Sequence, residues 1–171
     1  MKHTLAVLVQ DRPGVLSRVA RLFSRRGFNI DSLSVGSSER KNISRMTIVV
    51  TGDEETLEQV TKQLHKLIEV LKISILPPAE SIDRELVMVK ISANKDNRTE
   101  IMQITDIFRA KIVDVSHNSM VVEMTGNEEK VDALLNLLRP FGIKELVRSS
   151  KIAMARSEIK TTNNNKRRIS V

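Results

Sequence analysis

Two rhythms of apolar residues alternate along the chain. His3-Thr4-Leu5-Ala6-Val7-Leu8-Val9 is a short aliphatic and β-branched run, which predicts a strand over 2–9. Val15, Leu16, Val19, Leu22 and Phe23 then recur at helical spacing, with Arg18, Arg21 and Arg25 on the other side. This predicts a helix over 14–26, ended by Gly27. Strands over 30–38 and 43–51 follow, joined by the polar turn Ser37-Ser38-Glu39-Arg40-Lys41-Asn42. A second helix, 54–68, opens at Gly52-Asp53-Glu54-Glu55, where acids suit the helix dipole. Its apolar positions are Leu57, Val60, Leu64, Leu67 and Ile68, and a strand over 70–76 completes the set.

Pro77-Pro78 interrupts the pattern, and the same order then repeats. The spacing predicts a strand over 85–92, a helix over 98–109 and strands over 111–115 and 120–125. A helix over 128–138 and, after Gly142, a strand over 143–147 follow. Each half reads βαββαβ, the split-βαβ ferredoxin-like order, in which two helices cover one face of a four-stranded antiparallel sheet. The predicted class is α+β: two ferredoxin-like domains in tandem, 1–76 and 84–150, with a linker 77–83 and a basic disordered tail 151–171. The repeat is one of architecture, since residue identity between the halves is slight. The uncovered sheet face and the edges call for a partner. Leu5, Val7 and Val9 alternate with Thr4, Ala6 and Leu8, so both faces of the first strand are fairly apolar. Units this small bury little core. The first half is therefore expected to pair with a copy of itself.

Composition narrows the chemistry. Four Phe and no Tyr or Trp imply an aliphatic core with Met as filler. The absence of cysteine excludes disulfides, a thiol nucleophile and thiolate metal sites, and suits a reducing compartment. No apolar run is long enough to cross a membrane. The first strand begins close to Met1, so no targeting segment is expected. The expected compartment is the cytoplasm, or a plastid stroma if the protein is plastid-encoded. The formal charge of +7 suggests nucleic acid until it is located. Residues 151–171 hold six basic residues and one acidic residue, which leaves 22 basic and 20 acidic in 1–150. The excess lies in the tail, whose Lys166-Arg167-Arg168 could touch an acidic partner or RNA. RNA-reading sheets of this class stack bases on strand aromatics. Here every Phe falls on a helix or just after one, which disfavours a nucleic-acid partner.

Catalytic signatures are missing. His3, His65 and His117 have no ligand spacing. No phosphate loop, dinucleotide fingerprint or nucleophile elbow occurs. Asp53-Glu54-Glu55 and Glu128-Glu129 sit at helix starts, where dipole compensation explains them. No catalytic residue and no metal site is expected.

The distinctive segment is Asp11-Arg12-Pro13-Gly14-Val15-Leu16, which joins the first strand to the first helix. Asp11 is expected as N-cap, Pro13 in the opening turn and Gly14 where a ligand approaches the backbone. Free N–H groups at such a helix start welcome a carboxylate. Two readings stand on the residues alone. In one, Asp11 and Gly14 only cap and turn, and Asn29 only satisfies the turn after Gly27. In the other, the loop is a cup for a small zwitterion.

Asp11 through Leu33, Ser44-Arg45-Met46-Thr47-Ile48 and Glu58 through Leu67 resemble an ACT domain, in particular that of the small regulatory subunit of acetohydroxyacid (acetolactate) synthase. Arg84-Glu85-Leu86, Val89-Lys90 and Phe108 through Val115 look like the same family, so the resemblance spans roughly residues 2–155. It implies a non-catalytic subunit. Such a subunit binds and activates a large subunit that carries thiamine diphosphate, Mg and FAD, and confers feedback inhibition by valine. It implies a homodimer through the ACT domains. The effector would lie between two chains, held by Asp11, Gly14, Val15 and Leu16 of one and by Asn29 and Ile30 of the other. Asp11 stands where that family often has Asn. Asp11 could take the ammonium group, Asn29 could orient the ligand, and Val15, Leu16 and Ile30 would form an apolar wall. Arg18, Arg21, Arg25 and Arg26 are candidate docking contacts. The alternatives are a free-standing ACT-type amino-acid sensor for another enzyme and an RNA-binding ferredoxin-like module.

Overall fold

The structure, a computed structural model, describes residues 1–157. The expected Lys166–Arg168 contact lies outside them. The first sheet contains β1 (Lys2–Gln10), β2 (Ser32–Ser37), β3 (Ile43–Thr51) and β4 (Val70–Ile75), in the order β2-β3-β1-β4. All its pairs are antiparallel. Helices α1 (Val15–Arg26) and α2 (Glu54–Leu64) lie on one face. Leu5, Val7 and Val9 of β1 meet Met46, Ile48 and Val50 of β3 beneath Val19, Phe23, Val60 and Leu64. Phe23 and Phe28 touch edge to face. Gly27 ends α1 in the left-handed region (φ 70°), and its N–H donates to the carbonyls of Phe23 and Ser24. A side chain there would strain the backbone, which is why the helix stops at a glycine.

The second sheet repeats the topology with β5 (Ser81–Ser92), β6 (Lys111–Val115), β7 (Ser119–Gly126) and β8 (Ile143–Arg148), in the order β6-β7-β5-β8. Its helices are α3 (Arg98–Ile107) and α4 (Glu128–Leu138). The core holds Val87, Val89, Ile91, Met120, Val122, Leu134 and Leu138, with Met in the gaps as the composition required. α2 and α3 are shorter than their apolar patterns. His65 and Phe108 cap them, and Ile68 and Ile107 project into solvent.

Two segments differ from expectation. Ser81–Asp83, expected in the linker, already belong to β5. Ile152–Ala155, expected in a disordered tail, form β9, paired antiparallel with Ser81–Arg84. This two-stranded ribbon lies on the open face of the first sheet. Ala153 packs against Ala6 and Leu76, Arg45 Nη2 donates to the Ala153 carbonyl at 2.9 Å, and the Lys151 amide donates to Ser32 Oγ. The face expected to need a second copy is thus partly covered by the chain's own C-terminal segment. A charged seam completes the junction: Lys2 pairs with Glu128, and the largely buried Lys151 pairs with both Glu128 and Asp83.

Candidate functional site

The joint between β1 and α1 differs from the cap expected there. Asp11 is not the N-cap. The chain makes a further turn, and Gly14 occupies that position with φ 86° and no side-chain cap. Pro13 precedes the cap instead of opening the helix. The Asp11 amide donates to the Asn42 carbonyl at 2.8 Å, tying the loop to the β2–β3 turn, and its carboxylate has no partner among the described residues. Arg18 N–H reaches back to Gly14 O, while the Leu16 and Ser17 amides meet no protein acceptor among the described residues. The first turn of α1 also lacks any acidic side chain.

The other α-helices each carry an acidic side chain in the first turn. Asp53 accepts from the Thr56 amide and Asn127 from the Lys130 amide, each followed by two glutamates. Glu100 sits in the first turn of α3. Among the described α-helices, α1 alone combines an uncapped N-terminus with no acid in its first turn. The Asp53 carboxyl is held below the ordinary range by the Thr56 hydroxyl and amide.

The remaining site residues fall into two groups. Val15 is buried in the core, so it supports the loop from beneath and does not form an exposed wall. Leu16 is 45% exposed at the rim. Asn29 lies beyond the far end of α1, where its Nδ2 donates to Asp31 Oδ1 at 2.9 Å, and its carbonyl oxygen has no partner among the described residues. Asp31 is itself fixed by the Thr51 hydroxyl and by its own amide on Val49 O. Ile30 is partly buried against the first core and keeps one edge outside.

Register shows how far apart these groups are. Asp11 follows Gln10, which faces Ile43; Asn29 and Asp31 lie near Thr51, which faces Lys2. Eight residues of strand separate the ends, roughly 26 Å. One chain therefore does not bring Asp11, Gly14 and Leu16 to Asn29 and Ile30.

The flanks of α1 are also unlike. Arg18, Arg21 and Arg25 face a groove toward Gln63 and Leu67 beside α2, and Arg18 pairs with Glu69. By helical periodicity Leu16, Ala20 and Ser24 line the opposite flank, above the β2 edge of the sheet. That flank is small and weakly polar, and the adjoining edge strand carries Leu33, Ser34, Val35 and Gly36 without charge.

No group of three or more His, Cys, Asp or Glu side chains is disposed to hold a metal among the described residues. His3 Nε2 lies 3.1 Å from the Gly52 carbonyl, a structural contact. No described helix is long and apolar enough to cross a membrane.

Comparison with known proteins covers nearly the whole chain. Residues 5–72 match the family described as AHAS small subunit-like ACT domain, and residues 84–157 match the small subunit of acetolactate synthase family. The chain is 56% identical to a probable acetolactate synthase small subunit of Archaeoglobus fulgidus over 160 residues, covering 94% of this chain and 100% of the relative. It is 53% identical to the acetolactate synthase small subunit of Mycobacterium leprae over 154 residues, covering 90% and 91% respectively. The crystal structure of the acetolactate synthase small subunit from Thermotoga maritima superposes with a TM-score of 0.87 at 42% identity, covering 93% of this chain and 99% of that one. The chain belongs to the family of acetolactate synthase small subunits.

Proposed function

We propose that this protein is the regulatory, non-catalytic subunit of an acetolactate synthase. It binds a large catalytic subunit that carries thiamine diphosphate, Mg and FAD, raises that subunit's activity, and makes it sensitive to valine. The effector site lies between two copies of the first domain. One copy supplies Asp11, Gly14 and Leu16 over a buried Val15, and the other supplies Asn29 and Ile30.

The supporting observation is the combination of a bare helix start at one end of the sheet with Asn29 at the other. A two-fold axis that pairs two β2 edges sets two α1 helices antiparallel. That pairing brings the start of one α1 beside the end of its mate and sets the Leu16–Ala20–Ser24 flanks together. The half-sites then meet twice per dimer.

The chemistry suits a free amino acid. The Leu16 and Ser17 amides are donors for its carboxylate, and charge-assisted bonds of this kind contribute about 1.5–3 kcal/mol each. The dipole adds about 0.3–1 kcal/mol. Asp11 accepts the ammonium group, Asn29 Oδ1 offers a further acceptor, and Leu16 with Ile30 encloses a short branched side chain. A ligand held by both chains favours one mutual arrangement of them. It alters activity only through the difference in affinity between arrangements.

Reconstitution tests the reading. Adding the protein to a thiamine-dependent large subunit is expected to increase acetolactate formation and to make it inhibitable by valine. No stimulation, with the chain folded, overturns the assignment.

A further inference from the structure

The β5–β9 ribbon does not lie flush on the first sheet. Between them is a cavity of about 320 Å3, at the small end of ligand-binding clefts. It lies on the open face of the sheet, opposite the helices and apart from the Asp11–Leu16 loop.

Four features of this cavity are otherwise unexplained. Arg45 is only partly exposed, yet among the described residues its guanidinium has one bond, to the Ala153 carbonyl, and no carboxylate partner. Partly buried cations are normally paired. Arg84 also lines the cavity, and its one described bond goes to the neighbouring Asp83 carbonyl. The opposite wall is apolar: Ile82, Ile152 and Met154 are 37%, 58% and 60% exposed although they face the cavity. Finally, Gly36 sits in β2 directly opposite Arg45, on the same face, and a Cβ built there meets nothing within 4 Å. Its backbone is not left-handed, so the empty space and not the backbone conformation is what a side chain would change. A glycine inside a strand is a common mark of close approach by another group.

We propose that this cavity binds a small aliphatic 2-oxo or 2-hydroxy carboxylate. Arg45 and Arg84 take the carboxylate, Ile82, Ile152 and Met154 cover the tail, and the hydroxyls of Ser34 and Thr47 reach the 2-oxygen. No Asp or Glu lines the cavity. An amino acid's ammonium would therefore be desolvated without a partner, which sets this ligand class apart from the effector's. The site stands on its own observations and does not depend on the effector reading.

Calorimetry of the full chain with 3-methyl-2-oxobutanoate is the test, with valine and isobutyrate as comparison ligands. Saturable binding below roughly 10 mM is expected, unchanged when valine is already saturating. Arg45→Met should weaken it about tenfold or more while leaving valine affinity unchanged, and Gly36→Val should weaken it by as much. Gly36→Val keeps the test decisive if Arg45→Met fails to fold, because it introduces no backbone strain. Absence of binding overturns the proposal, as does binding that survives Gly36→Val, that valine displaces, or that isobutyrate matches.

Discussion

The two sheets share one topology but differ at the joint between first strand and first helix. In the first unit the joint is bare: Gly14 caps α1 without a side chain, and no acid follows. In the second unit α3 also has no side-chain cap, but the loop before it is held by its own side chains and an acid follows. Asn94 Oδ1 accepts from the Asp96 and Asn97 amides, Asn97 Oδ1 accepts from the Asn94 amide, and Glu100 supplies a carboxylate to the first turn of α3. Arg98 then reaches across to the Ser116 and His117 carbonyls and locks the β6–β7 turn. The duplicated joints thus differ in charge and in loop closure: the first has no acid in its helix's first turn, and the second has Glu100 there and a loop tied by Asn94, Asn97 and Arg98.

The largest effect comes from removing the core that holds the open joint. Phe23 is 1% exposed, and Phe23→Ala should cost about 3–5 kcal/mol. Scanning calorimetry is expected to show the first unit destabilised and the second unit's transition retained. A single shared loss would show that the two sheets unfold as one block.

Next in size is the comparison of the joints themselves. Gly14→Asp adds a carboxylate where α1 has none, and strains a left-handed position by about 1–2 kcal/mol. Valine affinity should fall at least about tenfold, a change of roughly 1.4 kcal/mol. Asn97→Asp at the corresponding place in the second unit should leave it unchanged. Equal losses from both would erase the distinction between the units. Asn127→Ala removes the α4 cap and should lower stability by about 1 kcal/mol, a melting-temperature drop of about 2–8 °C, without changing valine affinity.

The smallest effect concerns the seam between the units. The Lys2 ammonium, followed by Lys151, holds the Glu128 carboxyl below its usual range, and the same pair raises Lys2. A lowered folded-state value means that this stabilisation is present above the unfolded glutamate value, about 4.3. It is lost as pH falls through the folded value. The seam is partly solvated, so its worth is below about 1 kcal/mol. Glu128→Gln should flatten the acid limb of the stability–pH curve by that amount.

Much of this was legible in the residues. Aliphatic runs and helical spacings are clean wherever one face is buried, so the order of the six strands and helices up to β4, and its repeat, is read directly from the residues. Legibility failed where burial depends on distant partners. Ile152-Ala-Met-Ala looks like the start of a tail because it is short and flanked by charge, and only pairing with Ser81–Arg84 makes it a strand. Asp11 has the chemistry of an N-cap, but Arg12–Gly14 insert another turn and move the helix start past it. Val15 and Leu16 are adjacent apolar residues, and only the direction of the helix decides that one is core and the other rim. Arg45 stands out in the sequence only within Ser44-Arg45-Met46-Thr47-Ile48, because nothing local shows that it faces a cavity.

In the proposed function each effector site is assembled from opposite ends of two chains. Mixing Gly14→Asp subunits with Asn29→His subunits tests it most directly, because each homodimer lacks one half of both sites while each heterodimer retains one intact site. Calorimetry of the re-equilibrated mixture should recover about a quarter of the wild-type number of valine sites, at wild-type affinity. No recovery, with heterodimers demonstrated by mass, would contradict a site shared between chains.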